Sequence, residues 1–205
     1  SSGTECKGGR GSCGAFFVVD ETGKSGGTAL LDVQALACEG DLDKAMTLVG
    51  ITGTNGKTTV TEVTVSMLVA SGIEAVAAGN IGRPVSSIRP GEAEMLVLEL
   101  SSYQLRFLPR LVPAAATILN IAPDHLDWHG SYAAYAEAKA RILRYAEPST
   151  VFAYDPTDPL VSRVAASAAG TMIPCSGTTV PVGGNGVDGD SIVVAGARFR
   201  PAVTD

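Results

Sequence analysis

Residues Gly50 to Thr59 read G-I-T-G-T-N-G-K-T-T, a run that surrounds one fixed cation with backbone-permissive residues and hydroxyls. Such a run suits a polyanion. Glycines at Gly53 and Gly56 let the backbone curl so that the N–H groups of Thr54, Asn55 and their neighbours face inward. A helix starting near Lys57 adds the positive end of its dipole, Lys57 reaches the outer phosphates, and Thr58, followed by Thr59, offers a hydroxyl to a magnesium ion. The spacing departs from the generic phosphate loop, because the position five before Gly56 is Ile51. A glycine-rich turn with Lys57 in solvent is the bland alternative, and the flanking strand and helix patterns weigh against it.

Other residues of the right chemistry follow at intervals. Glu99 closes the apolar run E-M-L-V-L-E-L. There it could ligate magnesium together with Thr58 at the carboxyl edge of a sheet, or it could be a buried glutamate paired with an arginine. His125 and His129, four apart in P-D-H-L-D-W-H, are either loop histidines bonded to backbone or, more weakly, a zinc pair. Asp127 and Trp128 read as loop-forming. Lys139 in an alanine-rich stretch would ordinarily be a solvated cation paired with Glu137 or Arg141. Asn80 and Ser101 fit ordinary turn and helix-cap chemistry.

The elements that must position these residues are legible as alternating short apolar runs and longer helical ones. This is the rhythm of βαβ units around a parallel sheet. Strands are expected at T-L-V-G-I-T, I-E-A-V-A-A-G, E-M-L-V-L-E-L-S, A-A-T-I-L-N-I-A and S-T-V-F-A-Y. Helices are expected from Lys57 to Gly72, from Ser131, a cap, to Tyr145, and over D-P-L-V-S-R-V-A-A-S-A-A-G. After these, residues 179–201 predict two short strands around a glycine-rich turn, a C-terminal β-hairpin. Before Leu48, C-G-A-F-F-V-V-D-E-T-G and T-A-L-L-D-V-Q-A-L-A could form a strand and a short helix, too little for a domain of their own.

Composition narrows the function classes. The chain has 205 residues, a formal charge of −6 and a pI near 4.9, so it lacks the basic footprint of a nucleic-acid binder, and any anion must be held by local geometry. Cys6, Cys13, Cys38 and Cys175 show no CxxC spacing and no nearby histidine, which reads as reduced thiols. No apolar run is long enough to span a membrane or export the chain. The opening S-S-G-T-E-C-K-G-G-R-G-S-C-G reads as a linker, a remnant or the edge of something larger.

The form T-G-T-N-G-K-T-T resembles the Mur ligases and folylpolyglutamate synthases. The segments G-N-I-G at Gly79–Gly82, L-E-L-S-S-Y-Q-L at Leu98–Leu105 and L-N-I-A-P-D-H-L-D-W-H-G-S-Y-A-A-Y-A-E-A-K-A-R-I-L at Leu119–Leu143 are similar to the Mur ligases in order and spacing, closest to the D-glutamate-adding branch. The resemblance implies a cytoplasmic, monomeric enzyme of peptidoglycan precursor synthesis with ATP and Mg2+ as cofactors. Its small-molecule substrates would be UDP-N-acetylmuramoyl-L-alanine and D-glutamate, joined through an acyl phosphate, with no nucleic acid and no membrane. By the same resemblance His125 ligates a second magnesium, Lys139 is carbamylated and joins it, and Asn80 and Ser101 contact the sugar-linked substrate. The expected fold is α/β: a P-loop parallel sheet flanked by helices, with residues 48–205 an ATP-binding central domain incomplete at its C-terminus and residues 1–47 unmatched. The family's later G-x-H-N-x-x-N segment is not found, so this polypeptide alone is expected not to turn over. Another Mur ligase with a different amino acid, and a non-catalytic nucleotide-binding module, stay open as alternatives.

Overall fold

The computed structural model of the chain describes residues 4–5, 12–13, 46–108 and 110–200. Two two-residue strands, β1 (Thr4–Glu5) and β2 (Ser12–Cys13), pair antiparallel near the start. The strand and helix expected between them and Leu48 lie outside the described residues.

Nine further strands form one sheet: β3 (Thr47–Thr52), β4 (Ala75–Gly79), β5 (Met95–Glu99), β6 (Ala115–Ile118), β7 (Val151–Tyr154), β8 (Thr171–Ser176), β9 (Asn185–Asp188), β10 (Ser191–Val194) and β11 (Ala197–Phe199). Their order is β11-β10-β9-β8-β7-β6-β3-β5-β4. From β4 to β9 every pair is parallel, and β9-β10-β11 is an antiparallel meander. The parallel strands read as continuous apolar runs because both their faces are covered; Leu96, Val97 and Leu98 of β5 have no exposed surface.

Helices supply that cover. α1 (Lys57–Ala70) packs on β3, β4 and β5, and α5 (Pro159–Ser167) packs on β7. α2 (Ser102–Phe107), the one-turn α3 (Leu126–His129) and α4 (Tyr132–Ala140) pack against one another. Ser131 accepts from the Ala134 N–H as the expected cap of α4, but the α-helix tightens after Ala140 into a 3₁₀ turn at Arg141–Leu143. In that turn Arg141 donates to the Leu105 carbonyl at 2.8 Å, tying down the end of α2. α1 ends at Ala70, with Ser71 as its C-cap and Gly72 left-handed, as the glycine predicts.

The expected C-terminal hairpin is β9–β10, and it is extended by a third strand, since β10 turns again through Ala195 and Gly196, both at positive φ, into β11. T-M-I-P-C-S, to which the sequence reading assigns no element, is the parallel strand β8.

Candidate active site

In an open parallel sheet the carboxyl ends of the strands lie along one edge, and ligand-binding loops leave from there. Register places the ends of four strands together: Glu99 of β5 stands opposite both Ile51 of β3 and Gly79 of β4, and Thr52 of β3 stands opposite Ile118 of β6. The ladder continues past the strands, with Leu100 N–H donating to Ile51 O and Leu119 N–H to Thr52 O, both at 2.9 Å. The loops carrying Gly53 to Thr58, Asn80, Ser101 and His125 therefore start from fixed points.

Gly56, left-handed at φ 84°, caps α1, and no side chain caps the first turn of that helix. The helix thus presents its free N–H groups and positive dipole end to whatever lies above the loop. Lys57 folds back over the loop and donates to the carbonyls of Gly53 (3.1 Å) and Thr54 (2.9 Å), so its ammonium sits on the rim and is not in free solvent. Thr58 and Thr59 follow on exposed positions of α1.

Glu99 is 2% exposed, and both carboxylate oxygens have neutral partners. The Thr58 hydroxyl donates to Oε2 at 2.8 Å and the Asn80 amide to Oε1 at 2.9 Å. The alternative of a structural arginine is thereby overturned, since no arginine meets this carboxylate among the described residues. A buried anion served only by neutral donors calls for a cation, and a hydroxyl beside a carboxylate is an oxygen donor set that suits a hard divalent ion. Ser101 has its capping-box role: its hydroxyl accepts from the Gln104 N–H at 3.2 Å while Gln104 Oε1 accepts from the Ser101 N–H at 2.9 Å.

Lys139 is also 2% exposed, contrary to its reading as a solvated cation. Its ammonium donates to the Gly53 carbonyl at 2.7 Å and lies 4.7 Å above the Tyr135 ring. Burial, followed by the neighbouring Lys57 charge, lowers its pKa to about 7. His125 is a non-glycine residue in the left-handed region (φ 49°). Its backbone N–H is held by Asp124 Oδ1 at 2.9 Å, and its ring packs on Tyr103 at 5.1 Å and Tyr135 at 6.4 Å. Tyr135 thus joins the surroundings of His125 and Lys139.

His129 turns inward and bonds the Ser102 hydroxyl at 3.0 Å instead of backbone, and its buried Nδ1 has no partner among the described residues. Burial first, then the Arg106, His125 and Lys139 charges, lowers its pKa. Asp127 and Trp128 are helical in α3, where Trp128 stacks edge-on with Tyr103 at 4.5 Å. Among the described residues no group of three or more His, Cys, Asp or Glu side chains is arranged to hold a metal, which leaves the zinc pair without a ligand set.

Sequence reasoning missed Asn120 and Asp158. Asn120 bonds both backbone groups of Asn55, and Asp158 holds the Ile121 N–H at 3.0 Å while capping α5. Asp158 followed by Pro159 is a helix-start signal that hints at the cap but not at the second bond.

Comparison with known proteins agrees with this geometry. The Mur ligase middle domain matches residues 51–175. The chain is 48% identical over 122 residues to the UDP-N-acetylmuramoylalanine--D-glutamate ligase of Mycolicibacterium smegmatis, covering 60% of this chain and 24% of that protein. It is 38% identical over 184 residues to the ligase of the same name from Halalkalibacterium halodurans, covering 89% and 40%; the chain therefore spans well under half the length of these relatives. In fold it is similar to the MurF ligase of Thermotoga maritima solved with ADP (TM-score 0.58, 19% identity, 84% of this chain and 42% of that one). It is also similar to a UDP-N-acetylmuramoyl-L-alanyl-D-glutamate--2,6-diaminopimelate ligase (TM-score 0.62, 21% identity, 83% and 42%). Loop, strand ends and sequence lead to one conclusion: the chain belongs to the Mur ligase family and carries its middle domain.

Proposed function

We propose that this chain is the ATP-binding part of a ligase that joins D-glutamate to UDP-N-acetylmuramoyl-L-alanine through an acyl phosphate. The observation that carries the proposal is the buried Glu99 carboxylate, bonded among the described residues only to Thr58 and Asn80 beside the free end of α1. The D-glutamate ligases among its relatives favour that amino acid.

Joining a carboxylate to an amine in water requires the carboxylate to be activated, and transfer of a phosphoryl group to it brings two anions together. Bound magnesium would supply the charge that offsets their repulsion. For their part, the loop N–H groups and Lys57 hold the phosphates, Thr58 and Glu99 offer oxygen ligands, and Asn80 keeps the Glu99 carboxylate facing the loop. Asn80 and Ser101 border the space for the substrate carboxylate. His125 stands ready as a further ligand.

Lys139 fits carbamylation because burial leaves a large neutral fraction near pH 7. The neutral amine would form an N–C bond to carbon dioxide and release one proton, and the resulting carbamate would offer a further anionic oxygen donor.

The test is twofold. Calorimetric titration with MgATP should show binding that Lys57→Ala weakens about a hundred-fold or more, and that Glu99→Gln makes insensitive to magnesium. With UDP-N-acetylmuramoyl-L-alanine present in the ligase that contains this chain, phosphate release should require D-glutamate and not meso-diaminopimelate. Absence of magnesium-dependent ATP binding, or release driven by the other amino acid, would sink the reading.

A further inference from the structure

The segment Leu119–Ala122 leaves β6 without forming a strand, yet its polar groups are spoken for in alternation. Asn120 and Ala122 face the phosphate loop: Asn120 O accepts from the Thr54 N–H at 3.0 Å, and the Ala122 N–H donates to Thr54 Oγ1 at 3.0 Å. Ile121 faces the other way, its N–H held by Asp158 Oδ2 at 3.0 Å and its carbonyl accepting from the Tyr132 hydroxyl at 2.7 Å. Asp158 is itself fixed at the start of α5, where Oδ1 accepts from the N–H groups of Leu160 and Val161. The segment is a strap stretched between helix starts on one side and the phosphate loop on the other.

The Asn120 side chain closes the arrangement. Its Oδ1 accepts from the Asn55 N–H at 2.9 Å and its Nδ2 donates to the Asn55 carbonyl at 3.1 Å. One amide thus satisfies both backbone groups of the residue just before Gly56. The backbone of Asn55, just before Gly56, would otherwise be freer to rotate, and a loop that rotates there loses the inward aim of its N–H groups.

We infer that Asn120 is a positioning residue that clamps the Asn55 backbone and so presets the phosphate loop in its binding shape. This rests on the reading of the loop as a phosphate site. No other side chain makes both bonds to Asn55 among the described residues, and only a carboxamide supplies a donor and an acceptor in that geometry.

Three proteins test the clamp: wild type, Asn120→Ala and Asn120→Asp, each titrated with MgADP and with inorganic tripolyphosphate, and each followed by NMR hydrogen exchange at the Asn55 amide. Asn120→Ala should bind both probes about ten-fold more weakly and should lose protection of the Asn55 amide. Its thermal midpoint without ligand should stay within about 4 °C of wild type. Asn120→Asp keeps the acceptor but loses the donor and adds charge near bound phosphate. It should retain Asn55 protection while binding more weakly than Asn120→Ala, a split that general loosening of the fold would not produce. Wild-type affinity in Asn120→Ala, or unchanged Asn55 exchange in it, overturns the clamp and leaves the phosphate site standing. Failure of the wild type itself to bind either probe overturns both.

Discussion

At the scale of single residues, the site is built from charges placed where water cannot reach them. Lys139 is the clearest case. Folding moves its pKa from 10.5 to about 7, chiefly by desolvation and then by Lys57. Below about pH 7 both folded and unfolded chains carry the proton, and stability does not depend on this group. Between about 7 and 10.5 the unfolded chain binds a proton that the folded chain has lost, so stability rises with pH through that window, by an amount on the order of 5 kcal/mol across all of it. Urea midpoints at pH 7 and pH 9 should therefore differ in the unmodified protein, with the higher at pH 9, and Lys139→Met should remove most of the difference. An equal slope in the variant would mean that another group carries it. Helix pattern alone gives Lys139 the look of a solvated face, with Glu137 and Arg141 beside it, whereas the family resemblance requires it to be partly desolvated; the packing of α4 over the glycine-rich loop supplies that burial.

At the scale of elements, strand ends set the geometry that helices then cover. Gly79 ends β4 at φ 106°, and a Cβ there would lie 2.3 Å from the Glu99 carbonyl oxygen. Backbone cannot yield as a side-chain tip can. Asn80 N–H donates to that same carbonyl at 2.9 Å, so the close approach also aims Asn80 at the carboxylate. Gly79→Ala should cost about 3 kcal/mol or more in urea unfolding and should weaken magnesium-dependent nucleotide binding, whereas alanine at the open turn residue Gly91 should leave binding untouched. Equal binding in both variants would detach Gly79 from the site. G-N-I-G at this place was readable as a turn, but the contact across to Glu99 was not, because it depends on β4 and β5 being neighbours. The strands β3 to β7 and the helix from Ser131 were legible since buried parallel strands are uniformly apolar and Ser131 is a strong cap. β8 was not legible: Pro174 argues against a central strand. The fold admits it because the ladder to β9 begins only at Cys175. The one-turn helix at Asp127 and Trp128 owes its form to aromatic packing with Tyr103 and His129, which no local propensity encodes.

At the scale of the whole molecule, the net charge of −6 gives the proposed phosphate site no help from a general field. Under the proposed reading phosphate recognition would come from the helix end, Lys57 and an ion at Glu99, all at one edge of the sheet. The buried apolar cluster behind that edge runs from Met46 and Leu48 through Leu96, Leu98 and Ile118 to Phe152 and Ala165, and no side chain of β9, β10 or β11 belongs to it. The meander instead leaves Ile192, Val194 and Phe199 exposed and is laced by surface ion pairs such as Arg198 with Asp188, which contribute little. Two regions of one sheet should therefore differ in local stability. Amide exchange of Val193 and Val194 should be at least about ten-fold faster than that of Leu96 and Leu98, and saturating MgADP should slow exchange around the phosphate loop, leaving the meander rates unchanged. Equal protection across both regions would show that the sheet opens as one unit, and the site's rigidity would then depend on strands far from it. The expected separation leaves the phosphate edge anchored in the deep core, while the meander can open without disturbing Glu99 or the strap at Asn120.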